Sequence, residues 1–366
     1  MKLESLRASM LTIPFRRSFK HASAERHATQ AIWVAACARG ATGYGEGCPR
    51  DYVTGESVHG AQVFVAAYVQ EWSAELVDAP SLRAWTAKRE AEVDANPAAW
   101  TAVELAMLDL LGKTRSQSVE ALLGLPALAR RFQYTAVVGD APAAAFEAQL
   151  ARYRGAGFRD FKIKLSGEPA RDAAKVRALR AAGIEPERVR ADANNLWSEA
   201  GAAIAALKTL DYPFAALEEP LHAGDHEGMA RVGRALDSDI ILDESLARPG
   251  QLASLPADGR WIANLRISKM GGVLRSLEFL NEARRLGVPV VIGAHLGETS
   301  VLTRAALAVA SVAGDVLIAQ EGAFGTHLLE RDVAELPLMF GAGGVLEVEP
   351  SLAAAPGWGL AIRDPA

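Results

Sequence analysis

Residues 187–194 read ERVRADAN and residues 214–220 read FAALEEP; in each, a short apolar run ends in charge. The same figure recurs at 133–139 (QYTAVVG), 158–165 (FRDFKIKL), 239–245 (DIILDES), 261–268 (WIANLRIS), 288–295 (VPVVIGAH) and 315–322 (DVLIAQEG), which makes eight candidate strands. Amphipathic stretches such as 169–182 and 272–286 fill most of the gaps. Parallel strands need long crossovers, usually helices, so this alternation predicts a closed parallel barrel.

The first part of the chain has a different pattern. Residues 2–13 and 30–38 (QAIWVAACA) read as strands, and Gly40, Gly43 and Gly45 punctuate the passage into a third near 43–47. In 98–113, Ala102, Leu105, Ala106, Leu108 and Leu111 recur at helical spacing. Two polar stretches, 16–28 (RRSFKHASAERHA) and 49–57 (PRDYVTGES), read as loops. The expected division is an α+β domain over 1–128, a barrel carrying the site over 129–330, and a segment over 331–366 with a strand signal (VLEVEP) returning to the first domain.

Composition narrows the function. With 50% hydrophobic and 23% charged residues, the 366-residue chain is not disordered. A net charge of −5 without a basic stretch speaks against a nucleic-acid partner. Cys37 and Cys48 make neither a disulfide framework nor a zinc site. The start has no signal-peptide core, and no run approaches the ~20 apolar residues of a membrane span. A cytoplasmic protein without a membrane partner is expected.

In parallel barrels the site lies at the C-terminal ends of the strands. There the sequence places Lys162 and Lys164, Asp192 and Asn194, Glu218 and Glu219, Asp243 and Glu244, Lys269, His295 and Glu298, and Glu321. From Asp192 through Glu218, Asp243, Lys269 and His295 to Glu321, the steps are 25 or 26 residues, so each unit delivers one ionisable group at one height. Such charges are costly to bury unless paired or bound to metal. Asp192, Glu218 and Asp243 form an all-oxygen set suited to Mg²⁺ or Mn²⁺. Lys162 and Lys164 share a strand face, and Lys269 comes from the other side of the carboxylates.

That arrangement suits removal of a proton α to a carboxylate. A metal on the substrate carboxylate stabilises the enediolate, and the base must be neutral. A free lysine titrates near about 10.4, and a neighbouring cation lowers it. Lys164 is therefore expected as base, with Lys162 tuning it and binding the substrate carboxylate. Strand alternation turns Glu219 and Glu244 away from the mouth, so both are expected to support the ligands from behind, and Asn194 to orient Lys164 or the metal site by a hydrogen bond. His295, Glu298 and Glu321 are candidate substrate contacts.

Taken together, KIK (162–164), DAN (192–194), EEP (218–220), DES (243–245) and SKMGG (268–272), with GYGEG (43–47) and YVTGES (52–57), resemble the enolase superfamily, muconate lactonizing enzyme subgroup, over essentially the whole chain. The resemblance implies a TIM-like (β/α)7β barrel with an N-terminal α+β capping domain, and a homo-oligomer. It implies Mg²⁺ on Asp192, Glu218 and Asp243, with Lys164 and Lys269 as the acid–base pair. It also implies that loops 16–28 and 49–57 close over the substrate, Tyr52 on the second being a candidate contact. Dipeptide-epimerising members carry Asp-x-Asp after strand eight to hold the substrate ammonium. Here that stretch is QEGAFGTHLL (320–329), with Glu321 alone, and it is closer to the cycloisomerases. Arg16, Arg17, Lys20, His21 and Arg26 point to a second anionic group on the substrate.

The expectation is a Mg²⁺-dependent isomerase of a small carboxylate, of racemase or epimerase type, working through an enediolate with two opposed lysines. The alternatives are a muconate-type cycloisomerase, a syn-dehydratase, or a barrel that binds an acidic metabolite without turnover.

Overall fold

The chain opens with β1 (Ser5–Leu11), a hairpin of β2 (Pro14–His21) and β3 (Ala24–Ala28), then β4 (Ala31–Ala38) and β5 (Ala41–Gly47). This computed structural model describes residues 3–21 and 24–363, with side chains left out at 18–21, 24 and 25. Helices α1 (Val58–Glu75), α2 (Ala79–Lys88), α3 (Glu90–Ala95), α4 (Pro97–Arg115) and α5 (Val119–Leu123) follow.

β5 explains its own glycines. A Cβ on Gly43, Gly45 or Gly47 would lie 2.2, 2.0 or 1.9 Å from the carbonyl oxygen of Ala106, Ala102 or Ala98 on α4. Four residues of helix rise about 6 Å and two of strand about 6.8 Å, so every second strand residue meets every fourth helix residue. Only glycine lets the two backbones come this close. α4 is buried from Pro97 to Gly112 and forms the spine of the first domain.

The stretch 16–28, expected as a loop, is the β2–β3 hairpin, with Phe19 opposite Arg26 and Lys20 opposite Glu25. Both of its faces carry polar residues, so no apolar alternation marked it. The side chains of Lys20 and His21 lie outside the described residues.

The barrel begins after β6 (Arg131–Gln133). Its elements are β7 (Ala136–Val138), α6 (Ala143–Gly155), β8 (Phe161–Lys164), α7 (Pro169–Ala181), β9 (Val189–Asp192), α8 (Ala200–Thr209), β10 (Ala216–Glu218), α9 (His226–Leu236) and β11 (Asp239–Leu242). Then come β12 (Trp261–Leu265), the short α10 (Ile267–Met270), α11 (Val273–Leu286), β13 (Val290–Ile292), α12 (Ser300–Ala313) and β14 (Leu317–Gln320). β7 to β14 form one eight-stranded sheet in chain order. The Thr135 N–H, just before β7, donates to the Gln320 carbonyl of β14 at 2.8 Å and joins the two edges. The crossover from β11 to β12 holds only the 3-10 segment Pro249–Ser254, in a stretch punctuated by Pro249, Gly250, Pro256 and Gly259. β12 stops at Leu265, so Lys269 rides on α10 rather than ending a strand as expected.

β15 (Val345–Glu347), the expected VLEVEP strand, pairs antiparallel with β6, and α13 (Pro350–Ala354) follows. The chain then reaches the first domain: Trp358 donates from its backbone to Asp109 (2.9 Å) and from its indole to Leu105 O (3.0 Å). Two buried glutamates join domain to barrel. Glu46 on β5 accepts from the Thr299 backbone (3.0 Å) and hydroxyl (2.6 Å) at the start of α12. Glu104 on α4 accepts from Val273 N (2.5 Å) and Leu274 N (3.2 Å) at the start of α11. Gly272 makes room for it; a Cβ there would sit 2.3 Å from the Glu104 carboxylate. Among the described residues no helix is long and apolar enough to cross a membrane.

Gly45→Ala forces a methyl into the α4 backbone and should lower the unfolding free energy by about 3 kcal/mol, read from the urea midpoint. Gly201→Ala on α8, where the added methyl meets open space, should leave it unchanged or raise it by about 0.5 kcal/mol.

Candidate active site

Alternate residues of a barrel strand face inward. Lys162 is registered with Arg190, Lys164 with Asp192, and Asp192 with Glu218. Glu218 is registered with Ile241, and Asp243 follows the last residue of β11. One half of the interior is apolar, with Ala216, Ile241, Ile262 and Val291 packed together. The other half holds a buried charge network.

Lys162 is its centre. Its Nζ lies 3.0 Å from Asp192 Oδ2, 2.5 Å from Glu218 Oε2 and 3.0 Å from Glu321 Oε2. Lys164 Nζ is 2.5 Å from the same Asp192 oxygen. The other Asp192 oxygen accepts from Asn194 N at 2.9 Å. Glu218 Oε1 accepts from Asn264 Nδ2 at 3.1 Å. Glu321 turns its second oxygen to Arg190 at 3.0 Å, and Arg190 also donates to Thr135 Oγ1 at 2.8 Å. Asp243 is engaged from the far side, by Lys269 Nζ at 2.9 Å and by Arg266. Lys269 Nζ also donates to the carbonyls of Asp243 (2.7 Å) and Asn264 (2.8 Å).

The electrostatics follow from this packing. Burial alone would lower the Lys162 ammonium, but Asp192, Glu218 and Glu321 outweigh it and raise it. Burial alone would raise Asp192, but Lys162 and Lys164 hold it well below the usual carboxylate range. Glu218 is raised by burial and by Asp192 beside it. Lys269 is lowered to about 7, by burial first and then by Arg266. His295 is lowered by burial and by Arg266.

A cavity of about 630 Å³, its open mouth included, lies over the network. Of the sequence-expected residues, Tyr52, Lys162, Lys164, Asn194, Glu244, His295 and Glu321 line it. Asp192, Glu218, Asp243 and Lys269 lie beneath, each at most 1% exposed. Glu298, expected at the substrate, is not on the wall; it turns back and accepts from His295 N at 2.6 Å. Asn194, expected to orient Lys164 or the metal site, and Glu244, expected behind the ligands, are on the wall itself. Both follow the last residue of a strand, where alternation no longer dictates direction. Lys162, expected to act on Lys164 as a bare neighbouring cation, has its charge balanced by three carboxylates. The structure brings Asp192 and Glu218 together at Lys162, while Asp243 turns to Arg266 and Lys269. As the side chains lie, no three Asp, Glu, His or Cys groups among the described residues form a metal-holding cluster.

Sequence reasoning missed Arg190, Asn264, Arg266 and Arg50. Arg190 was legible, since it stands two before Asp192 on one strand face. Asn264 needs the β11–β12 register, where Leu242 meets Ala263. Arg266 begins the turn into α10 and lines the cavity beside Phe324 and Leu296. Buried Arg50 ties the Tyr52 loop to the barrel by donating to Leu296 O at 2.9 Å, and to its own domain by donating to Gln30 O at 2.8 Å.

A parallel barrel with its lysine and carboxylate groups at the strand ends, under a loop from a second domain, defines a class of capped-barrel enzymes. This chain matches the enolase C-terminal domain-like family over residues 145–366 and belongs to it, as an isomerase-type enzyme of the enolase superfamily. It is 26% identical over 314 residues to the hydrophobic dipeptide epimerase of Enterococcus faecalis, covering 82% of this chain and 84% of that one. A crystal structure of the Enterococcus faecalis dipeptide epimerase, complexed with Mg and the dipeptide L-Leu-L-Tyr, superposes with a TM-score of 0.83 at 24% identity, covering 98% and 99% of the two chains. The N-succinyl-L-Arg/Lys racemase of Bacillus cereus is 25% identical, covering 74% of this chain and 73% of its own. The chloromuconate cycloisomerase of Cupriavidus necator is 27% identical, covering 84% of each.

Removing one partner of a buried ion pair strands the other. Arg190→Met should lower the unfolding free energy by about 3 kcal/mol. The double variant Arg190→Met/Glu321→Gln should cost less than the two single changes added together. Urea unfolding of the four proteins checks both.

Proposed function

We propose that this protein is a divalent-metal-dependent isomerase that removes the proton α to the carboxylate of a small substrate, with Lys164 and Lys269 on opposite faces of the reacting carbon. One observation carries the reading: the two lysines flank the carboxylate row. Lys164 reaches Asp192 on β9 and Lys269 reaches Asp243 after β11, with Glu218 of β10 between them. Lys164 lines the cavity above that row, and Lys269 lies beneath it with its ammonium bonded to Asp243 and Asn264.

The donor set fits a hard dication. Asp192, Glu218 and Asp243 present only oxygens and come from the ends of three consecutive strands. Mg²⁺ or Mn²⁺ held there supplies electrophilic stabilisation of the charge that develops on the substrate carboxylate. The side chains do the rest. Lys164 Nζ takes the α-proton on one face, and Lys269 Nζ returns one on the other; the opposite enantiomer uses them in reverse. Lys162 holds the substrate carboxylate over the row. Tyr52, His295 and Glu321 bound the substrate, and Asn194 and Glu244 support it from the rim. The loop pinned by Arg50 keeps water out.

The other reading, a cycloisomerase or a syn-dehydratase, keeps the same metal and lets one lysine dominate. It is favoured by Glu321, the single acid of its stretch, whose two oxygens already pair with Lys162 and Arg190. The wall beside it is apolar, with Val137, Leu296 and Phe324. We also propose that residues 1–128 close the site, 129–330 carry it, and 331–366 tie the two together.

A panel of N-acylamino acids, dipeptides, proline betaines and muconates in D₂O separates these readings. A racemase or epimerase incorporates solvent deuterium at the α-carbon; a cycloisomerase consumes diene absorbance with little exchange. Lys164→Ala should abolish exchange from one enantiomer and Lys269→Ala from the other, each cutting turnover by roughly 10²–10⁴-fold. Retention of exchange from both enantiomers in either variant would overturn the two-lysine assignment. Chelation should stop turnover, and Mg²⁺ or Mn²⁺ should restore it.

A further inference from the structure

Glu219 follows Glu218 at the end of β10, is fully buried, and turns away from the cavity. Its carboxylate accepts four hydrogen bonds. Oε1 receives the backbone N–H groups of Asp243 (2.6 Å) and Ser245 (2.8 Å). Oε2 receives the Ser245 hydroxyl (2.8 Å) and the Asn195 amide (3.1 Å). Its main chain repeats the pattern: the N–H donates to Ile241 O at 3.1 Å, and the carbonyl accepts from Asn195 N at 2.8 Å. One residue is thus fastened to the strand ends on both sides of its own.

Those two strand ends carry Asp192 and Asp243. The bond to Asp243 N fixes the backbone from which that carboxylate departs. The bonds to Asn195 fix the turn after Asp192, where Asn194 N donates to Asp192 Oδ1 at 2.9 Å. The backbone here is held in an uncommon conformation, with φ of +46° at Asn194, +62° at Asn195 and +41° at Glu219. Asparagine visits such angles readily, but a glutamate does so rarely, so the Glu219 backbone is held there by its contacts. Glu219 bonds Asn195 on one side and Asp243 and Ser245 on the other.

We propose that Glu219 is the positioning residue of the carboxylate row: it sets the spacing of Asp192, Glu218 and Asp243, and with it the divalent-cation affinity of the site, while touching neither cation nor substrate. This rests on the reading that those three carboxylates hold the cation. Sequence alternation turned Glu219 outward, but nothing in the sequence showed that its acceptors would meet donors from both adjacent strands.

The test is direct Mn²⁺ binding to the purified full-length protein, measured by electron paramagnetic resonance, with Mg²⁺ competition by calorimetry. All variants are compared at a temperature where circular dichroism shows them folded. Glu219→Ala removes all four acceptors and should weaken Mn²⁺ binding by about 10–100-fold. Glu219→Gln keeps one oxygen for the two backbone N–H groups but sets an amide N–H against Asn195. It should recover most of the affinity, to within about 10-fold of wild type. Asn195→Ala and Ser245→Ala, which each remove one donor, should fall between wild type and Glu219→Ala, and they serve where the alanine variant at 219 does not fold. A purely structural role would lower the melting temperature and leave Mn²⁺ affinity within twofold of wild type across the folded variants; that result overturns the proposal alone. A wild-type protein that binds no Mn²⁺ overturns the metal-dependent reading, and this proposal with it.

Discussion

The ammonium of Lys162, held by three carboxylates inside the barrel, is the constraint on which the rest of the site depends. Asp192, Glu218 and Glu321 converge on it from three strands or strand ends, at 2.5–3.0 Å. An ion taken out of water costs several kcal/mol even after relaxation, and only close opposite charge offsets that. Without Lys162 three carboxylates would repel one another in a medium of low dielectric. With it, each is fixed in place and its partners can be specified in turn. Arg190 steadies Glu321 from below, Asn264 steadies Glu218, and Lys164 shares Asp192. The apolar half of the interior, from Ala216 to Val291, does the ordinary packing of a barrel core and leaves the polar half free to carry chemistry.

The first domain is attached to the helices that stand behind this network rather than to the strands themselves. A helix start has unpaired N–H groups and partial positive charge, so a buried carboxyl group there finds donors. Glu46 meets α12 and Glu104 meets α11, the helices that follow β13 and β12. Cys48 N donates to Ser268 Oγ at 2.8 Å, one residue before Lys269. The position of Lys269 is therefore set from two sides, by Asp243 and Asn264 within the barrel and by the first domain from outside. The glycines of β5 belong to the same joint. They let α4 lie flush on the strand, and α4 carries Glu104.

Much of this was legible in the sequence because a parallel barrel repeats itself. Apolar runs marked its strands, and the interval of 25 or 26 residues found Asp192, Glu218 and Asp243 at the ends of three consecutive strands. The interval also reached Lys269, though by a different route: β12 ends at Leu265 and a single helical turn carries the lysine onward. Residues outside regular strands were harder to read. Glu244 and Asn194 come to the cavity because they follow strand ends, and Glu298 turns away because it bonds its own turn. Arg190 obeys the same alternation as Lys162 and Lys164 and was overlooked for being one layer deeper. Asn264 could not be read without its pairing partner, and Glu219, turned behind the ligands by alternation, gave no sign of which neighbouring strands it would bond. The 16–28 hairpin left no signal because a strand with two polar faces has no amphipathic period.

The same separation bears on how one fold serves several reactions. The relatives are named as epimerase, racemase and cycloisomerase, yet all are similar to this chain over most of its length. What differs among such enzymes must lie in groups that can change without disturbing the buried network. In this chain those are the wall residues Tyr52, Val137, Leu296 and Phe324, which make no ion pair within the network. Glu321 is the exception, since it lines the cavity and is also part of the network. A substrate ammonium at its carboxylate would have to share it with Lys162 and Arg190. A substrate whose reacting end is anionic and whose remaining body is uncharged or anionic meets no such conflict. On the proposed reading it would meet Lys162 at the row, with Arg266 and an apolar wall also lining the cavity.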